Sequence, residues 1–181
     1  TYCGIAGDSE ESLTVTLGPA LEAHDVIILS GGVSMGDFDF VPRILKAHGV
    51  NLLFEKVAIQ PGKPTVFGLS DSVFCFGLPG NPVSTFTTFE LIVKPFLFAM
   101  MGHNYSAPSI HMPLAEPFRR KVAVRQAWVP ITLTAEGVRK VDYHGSAHMN
   151  ALIHADGMFS FPVGVTEFDK DDVVPIRLYR N

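Results

Sequence analysis

The feature that most constrains the fold of this sequence is a run of branched aliphatic residues, 26–29, that leads directly into a loop carrying three glycines, 30–39. Such runs are typical of strands in a parallel sheet, because helices cover both faces of that sheet. A helical repeat of leucines over 13–21 precedes the run, and a second helical pattern follows over 40–47. This order of elements predicts a doubly wound α/β layer with a mostly parallel sheet.

Individual residues indicate where these helices begin and end. Asp8, with Glu11 three residues later, predicts the start of the first helix, and Pro19 is expected to kink or shorten it. Asp39 is the expected N-cap of the second helix, and Gly49 is its expected end. Three more strands and then a long apolar helix are predicted over 52–59, 65–69, 73–77 and 83–101.

The pattern changes beyond residue 102. The segment 103–108 is polar and contains a proline, which is typical of a linker. Only short alternating runs with turn signals follow, and they predict a small all-β barrel or sandwich. These runs cover 119–124, 128–134, 138–143, 158–161 and 173–178. We therefore expect two domains, 1–104 and 105–181, whose strands do not share a sheet.

Charge and composition exclude several classes of function. The chain has 14 Lys and Arg against 18 Asp and Glu, a net charge of −4, so no overall basic field attracts nucleic acid or anionic lipid. The longest uninterrupted apolar run, 95–101, is too short to span a bilayer. Cys3 and Cys75 lie far apart in sequence and form neither a metal-type spacing nor a disulfide framework, which fits a reducing compartment. Cys75 lies in an apolar run and is expected to be a buried, inert thiol.

The glycine-bearing loop is the first candidate for chemistry, because open α/β sheets bind ligands where their strands end. Its backbone amides and hydroxyls could surround an anion: Ser30, Gly31, Gly32, Ser34 and Gly36. Asp37 and Asp39 are two residues apart, so in an extended segment both carboxylates face the same side. Two carboxylates beside a phosphate would suit Mg²⁺. The alternative is a tight turn in which Asp39 only caps a helix.

Two further loops offer groups for binding anions. Lys56 lies at a strand, and Lys63 stands between two prolines that stiffen its backbone, so its ammonium suits a phosphate or another oxyanion. The alternative for both lysines is ordinary solvent exposure. The loop from a strand to the start of the long helix, where unpaired amides attract anions, contains Pro79, Gly80, Asn81, Pro82 and Ser84. The amide of Asn81 could form hydrogen bonds with a heterocycle, or the segment could be a simple proline-rich turn with an Asn cap.

Taken together, the motifs GGVSMGDFD, PGKP and LPGNPVS, in this order, resemble the molybdopterin-binding domain of the MoeA and gephyrin E-domain family. The later segments 145–149 and 172–178 resemble that family's C-terminal β-barrel domain. The resemblance implies an incomplete molybdopterin-binding domain, lacking its N-terminal strand and helix, followed by a small all-β barrel.

The resemblance also implies a reaction. In this family, adenylylated molybdopterin is hydrolysed in a step that depends on a divalent metal, here expected to be Mg²⁺, and molybdate is inserted at the dithiolene. By motif, Asp39 with Asp37 beside it corresponds to the functional acidic position, and Lys56 and Ser146 correspond to a functional lysine and serine. Gln60 stands where many relatives carry a basic residue, so one contact to the anion is expected to be weaker or replaced.

Further expectations concern the context of the chain. The resemblance implies a cytoplasmic homodimer that binds molybdopterin and molybdate, with no nucleic acid or membrane partner. The family's Gly-Asp-Glu motif and two N-terminal domains do not occur before Asp8, so the sequence resembles a C-terminal fragment that is inactive by itself. Two alternatives stay open at this point: a gephyrin-like scaffold that binds receptor tails, and a related nucleotide-cleaving enzyme.

Overall fold

The computed structural model describes residues 1–7, 9–33, 40–141 and 149–179. These residues form two compact units. The first comprises Thr1–Val57 and Gly62–Phe89, and the second comprises Ala58–Pro61 and Glu90–Asn181. The compact units therefore divide at other points than the predicted domains, 1–104 and 105–181, and that domain boundary remains a prediction.

The helices of the first unit begin and end close to the predicted residues, but the N-cap of the second helix is Phe40, so the expectation that Asp39 caps it was wrong. Helix α1 spans Glu10–Ala23, and the Ser9 side chain caps it by accepting from the Ser12 amide at 3.2 Å. It continues through Pro19, so the expected shortening does not occur. Helix α2 spans Val41–Ala47, and Gly49 follows it with a φ of 81°, a conformation that favours glycine.

The first sheet has four strands in the order β1-β5-β4-β2. They span Val26–Ser30 (β1), Asn51–Phe54 (β2), Val66–Leu69 (β4) and Phe74–Leu78 (β5). Strand β1 pairs parallel with β5, but β4 pairs antiparallel with both β5 and β2. The sheet is therefore mixed, and the prediction of a mostly parallel sheet was wrong. The residues between β4 and β5 are too few for the crossover that parallel strands require, so these two strands form a hairpin.

Apolar residues of α1, α2 and the sheet pack into one core in the first unit, including Leu17, Ile27, Leu45 and Val66. Cys75 belongs to this core, with 0% of its surface exposed. Loss of solvation on burial raises the pKa of its thiol from 9.0 to about 11. The prediction of a buried thiol is therefore confirmed.

We expect a thiol reagent at pH 8 to modify Cys3, which is exposed, and to leave Cys75 unmodified in the folded chain. Burial favours the neutral thiol, so this contribution to stability is complete below pH 9 and is lost as pH rises through about 11. Counting modified thiols by mass spectrometry, with and without denaturant, checks this. Equal labelling of both thiols in the folded chain would contradict it.

The chain is helical from Pro82 to Met100, as predicted for 83–101. Helix α3 (Pro82–Thr88) is followed by a π-helical segment, Phe89–Val93, and then by helix α4 (Lys94–Met100). Gly102 follows with a φ of 78°. By length and composition this stretch, with a mean hydropathy of 1.3, could cross a membrane. Core helices of soluble proteins satisfy the same criterion.

The second unit contains a sheet of six strands in the order β3-β8-β10-β12-β6, with β9 paired to β8. A separate two-stranded ladder joins β7 and β11. The strands of this unit span Ile59–Gln60 (β3), Ser109–Pro113 (β6), Phe118–Arg119 (β7), Gln126–Thr134 (β8), Gly137–Lys140 (β9), Gly157–Phe161 (β10), Glu167–Phe168 (β11) and Val173–Leu178 (β12).

The expectation that the two halves of the sequence share no sheet was wrong, because β3 pairs parallel with β8. The segment predicted as one strand over 52–59 instead divides between the two units. Barrel closure remains a prediction. A bridge between Leu114 and Val138 connects the end of β6 to β9, with the Ala115 amide donating to the Val138 carbonyl at 2.9 Å.

A cluster of aromatic rings forms the core of the second unit. Phe159 packs edge-on against Phe118, Phe161 and Phe168, with ring centroids 4.9 to 5.2 Å apart. Edge-to-face contacts of this kind add to the stabilisation that comes from burying the rings.

Candidate functional site

All three candidate loops lie along one edge of the first sheet. Because β4 is antiparallel to both of its neighbours, β2 runs in the same direction as β1 and β5. The carboxyl ends of β1, β5 and β2 and the start of β4 therefore share an edge. Four strands at a spacing of about 4.8 Å extend over about 14 Å, a distance that one extended anionic ligand can span. Convergence of the loops on a single cleft remains a prediction.

The described part of the glycine loop has the backbone that only glycine adopts easily. Gly31 and Gly32 have φ values of 95° and 65°. The Gly31 amide extends the pairing of β1 with β5 by donating to the Leu78 carbonyl at 3.0 Å, and the Gly32 carbonyl accepts from the Val41 amide at 3.1 Å. A Cβ at position 32 would lie 3.0 Å from a methyl of Val41. Hence both the conformation and the space at position 32 favour glycine.

The loop after β5 lies against the glycine loop. A Cβ added at Gly80 would lie 3.4 Å from the Gly31 Cα, so the two backbones are nearly in contact. Asn81 is the N-cap residue of α3, as in the alternative of an Asn cap, and its side chain makes no capping hydrogen bond. Pro82 opens the helix, and Ser84 is buried.

The structure brings the backbones at Lys56 and Lys63 together. The Lys63 carbonyl accepts from the amides of Val57 at 2.9 Å and Thr65 at 3.0 Å. The buried Thr65 hydroxyl also donates to the Gly62 carbonyl at 2.7 Å. Both lysine side chains are exposed, and neither has an ion-pair partner within 4.0 Å in the described part of the chain. Two cations on an anchored backbone are therefore available for an anion.

Gln60 belongs to the second unit, where it pairs with Ala127 in β8. The peptide bond between Gln60 and Pro61 is cis. Beside this pair, Arg125 donates from Nη1 to the Ile59 carbonyl at 3.4 Å. Sequence reasoning did not single out Arg125. It lies 66 residues from Ile59, and no local pattern links the two positions.

Several predicted site residues lie outside the described residues: Ser34, Gly36, Asp37, Asp39 and Ser146. The proposed metal pair, Asp37 and Asp39, is among them. Across residues 1–7, 9–33, 40–141 and 149–179, no group of three or more His, Cys, Asp or Glu side chains could hold a metal ion.

A cavity of about 490 Å³ lies in the first unit between β1, helix α1 and residues 1–7. Its lining reaches the candidate edge only through 30–32, and it contains neither lysine nor any residue of 78–82. We place the candidate site at the sheet edge, because the charged groups lie there and the cavity walls are mostly apolar.

Comparison with known proteins gives consistent results. The model of a family described as a probable molybdopterin binding domain matches residues 1–99. A molybdopterin molybdenumtransferase of Staphylococcus epidermidis is 34% identical over 180 residues, covering 94% of this chain and 42% of that protein. The corresponding protein of Staphylococcus aureus is 38% identical over 168 residues, covering 88% of this chain and 39% of its own length.

Solved structures show the same fold. The molybdopterin biosynthesis moeA protein from Pyrococcus horikoshii superimposes with a TM-score of 0.83 at 29% identity, covering 99% of this chain and 43% of that protein. A molybdenum cofactor biosynthesis protein from Pyrococcus furiosus gives 0.76 at 22% identity, over 97% of this chain and 57% of its own length. The chain thus spans 42% or less of the length of the two staphylococcal relatives.

Proposed function

This chain belongs to the family of probable molybdopterin binding domains, and on that basis we propose that it acts in molybdenum cofactor biosynthesis, inserting molybdate into adenylylated molybdopterin. The observation that carries the proposal is the alignment of three motif-bearing loops along one sheet edge. The names of its staphylococcal relatives support it, since both are molybdopterin molybdenumtransferases.

The described residues can be assigned roles in this reaction. The amides of Gly31 and Gly32 and the ammonium groups of Lys56 and Lys63 hold phosphate and molybdate oxygens, which carry the negative charge of both substrates. Asn81 hydrogen-bonds the pterin heterocycle, since its amide both donates and accepts. These groups bind and orient the reactants, and phosphoryl chemistry depends mainly on such positioning.

The proposed metal is Mg²⁺ held by Asp37 and Asp39. Two carboxylates are hard oxygen donors of the kind that Mg²⁺ prefers alongside phosphate. When bound, the ion neutralises charge on the phosphate being cleaved. From the resemblance, Ser146 is proposed to contribute a hydroxyl to the substrate.

The partners, cellular location and oligomeric state of the protein are also proposals. A net charge of −4 supports the absence of nucleic acid and anionic membrane partners. Two cysteines without disulfide spacing support a cytoplasmic location. Homodimer formation is proposed from the resemblance alone.

A complementation experiment tests the proposed activity. The chain replaces the matching residues of the Staphylococcus aureus relative, and the hybrid is expressed in bacteria that lack molybdenumtransferase activity. We expect it to restore a molybdate-dependent enzyme, and Asp39→Ala to abolish the restoration. A folded hybrid that binds molybdopterin but inserts no molybdate would contradict the enzymatic proposal and favour the scaffold alternative.

A further inference from the structure

The carbonyl oxygen of Pro79 accepts hydrogen bonds from two hydroxyl groups that come from different elements. The Ser30 hydroxyl, at the end of β1, donates to it at 3.3 Å. The Thr85 hydroxyl, in the first turn of α3, donates to the same oxygen. Ser30 lies 49 residues from Pro79 in sequence, so this oxygen joins two of the three candidate loops.

The contact of Thr85 differs from those of the other threonines in its helix. Thr87 and Thr88 donate to the carbonyls four residues earlier, at 2.7 and 2.9 Å, which is the usual bond of a helical threonine. Thr85 has the same option, with the Asn81 carbonyl at 3.1 Å, but its hydroxyl also reaches Pro79, six residues earlier and outside the helix. Because a hydroxyl carries only one proton, the bond to Pro79 competes with the helical bond.

The loop from Leu78 to Pro82 is anchored in part through its carbonyl groups. Pro79 and Pro82 carry no amide proton, so the carbonyl groups of the loop provide many of its anchors. The carbonyl before Pro79 accepts from the Gly31 amide at 3.0 Å. Two successive carbonyls are thus bound to the turn at 30–31, which holds Gly80 close to Gly31.

We propose that Thr85 and Ser30 are positioning residues, whose hydroxyls set the separation between the glycine loop and Asn81. The inference rests on the proposed function for its effect on the ligand, but the positioning itself is independent of that function. Neither hydroxyl needs to touch the substrate. Loss of either bond would let the 78–82 loop move relative to Gly31 and would weaken the binding of a ligand held by both loops.

The test compares Thr85→Val and Ser30→Ala with Thr87→Val, a control that removes a hydroxyl bonded only within the same helix. A net hydrogen bond of about 1 kcal/mol corresponds to about fivefold in affinity. We expect Thr85→Val to raise the Kd for molybdopterin about 3- to 10-fold. Thr85→Ser, which keeps the hydroxyl, should have a Kd close to that of the wild type. Thr87→Val should leave the Kd within twofold, with similar Tm values for the two valine variants.

Amide hydrogen exchange of the unliganded 181-residue chain provides a second measurement that does not depend on the function. Exchange at Gly31 should quicken in Thr85→Val and Ser30→Ala but not in Thr87→Val. Unchanged exchange at Gly31 in both variants would overturn the positioning inference. Faster exchange at Gly31 in the two variants, together with a folded wild-type hybrid protein that fails to bind molybdopterin, would support positioning and contradict the proposed function. Equal losses of affinity in both valine variants would indicate a general effect on the helix and overturn the inference.

Discussion

Replacing Lys63 by methionine in the hybrid protein is expected to lower kcat/KM for molybdate insertion by about 10²- to 10³-fold, the usual cost of losing one electrostatic contact to a developing charge. The Lys63 carbonyl is held by the Val57 and Thr65 amides, so its backbone is fixed before any ligand binds. Methionine keeps much of the length of the side chain but removes the charge. The measurement is cofactor reconstitution of a molybdenum-free enzyme under limiting molybdate.

The controls distinguish the effect of losing the Lys63 charge from the effect of losing any exposed positive charge. Lys63→Arg keeps a positive charge and should retain more activity than Lys63→Met, although a guanidinium differs in shape from an ammonium. Lys121 is also exposed and has no ion-pair partner among the described residues, so Lys121→Met should leave activity within twofold. If the Lys63→Met hybrid retains more than a tenth of the activity, Lys63 does not bind the substrate as proposed.

The largest loss of stability is expected from Glu90→Ala, which should lower the free energy of unfolding of the second unit by about 3–5 kcal/mol. Only 9% of the Glu90 side chain is exposed. Lys94 Nζ lies 3.1 Å from both carboxylate oxygens, and Arg177 Nη2 lies 3.7 Å from one of them. Both cations also lie over the Tyr105 ring, at 5.5 and 5.8 Å from its centroid. Removing the carboxylate leaves two partly buried cations without their shared counter-ion.

The backbone at Glu90 explains why the cluster occurs here. In a π-helical register its carbonyl would accept from residue 95, but Pro95 has no amide proton. Arg177 Nη2 donates to this carbonyl instead. Burial lowers the pKa of Lys94, but the hydrogen bonds and charge of Glu90 outweigh that effect and raise it overall. The stabilising contribution of Lys94 is therefore complete below its ordinary pKa of 10.5 and is lost as pH rises above it.

Urea unfolding at pH 7, followed by the fluorescence of Trp128, measures the effect of Glu90→Ala. Glu136→Ala is the matched control, because its ion pair with Arg139 is exposed and should contribute less than about 1 kcal/mol. If both variants unfold at the same urea concentration, the buried cluster does not contribute as proposed. A double variant, Glu90→Ala with Arg177→Met, should recover part of the loss, since it removes one of the unpaired charges.

Local features of this protein were determined by the sequence itself. The strand predicted over 26–29 is β1, and Gly49, the expected end of the second helix, follows that helix with a left-handed backbone. The three motif loops and their resemblance to a family could also be identified from short stretches of sequence. These features depend on residues within about ten positions of each other, so periodicity and the conformational preferences of glycine and proline are enough to predict them.

Pairings between distant residues were decided only by the tertiary structure. Apolar and polar side chains alternate along a strand in the same way whichever strand lies beside it. The sequence therefore did not indicate that β3 pairs with β8. The hairpin of β4 and β5 could have been inferred from its short connection, but the sheet order could not. Likewise, the bonds from Arg177 to Glu90 and from Ser30 to Pro79 join residues 87 and 49 positions apart. Such bonds depend on how the elements pack, because each partner alone is an ordinary polar residue in an ordinary strand or loop.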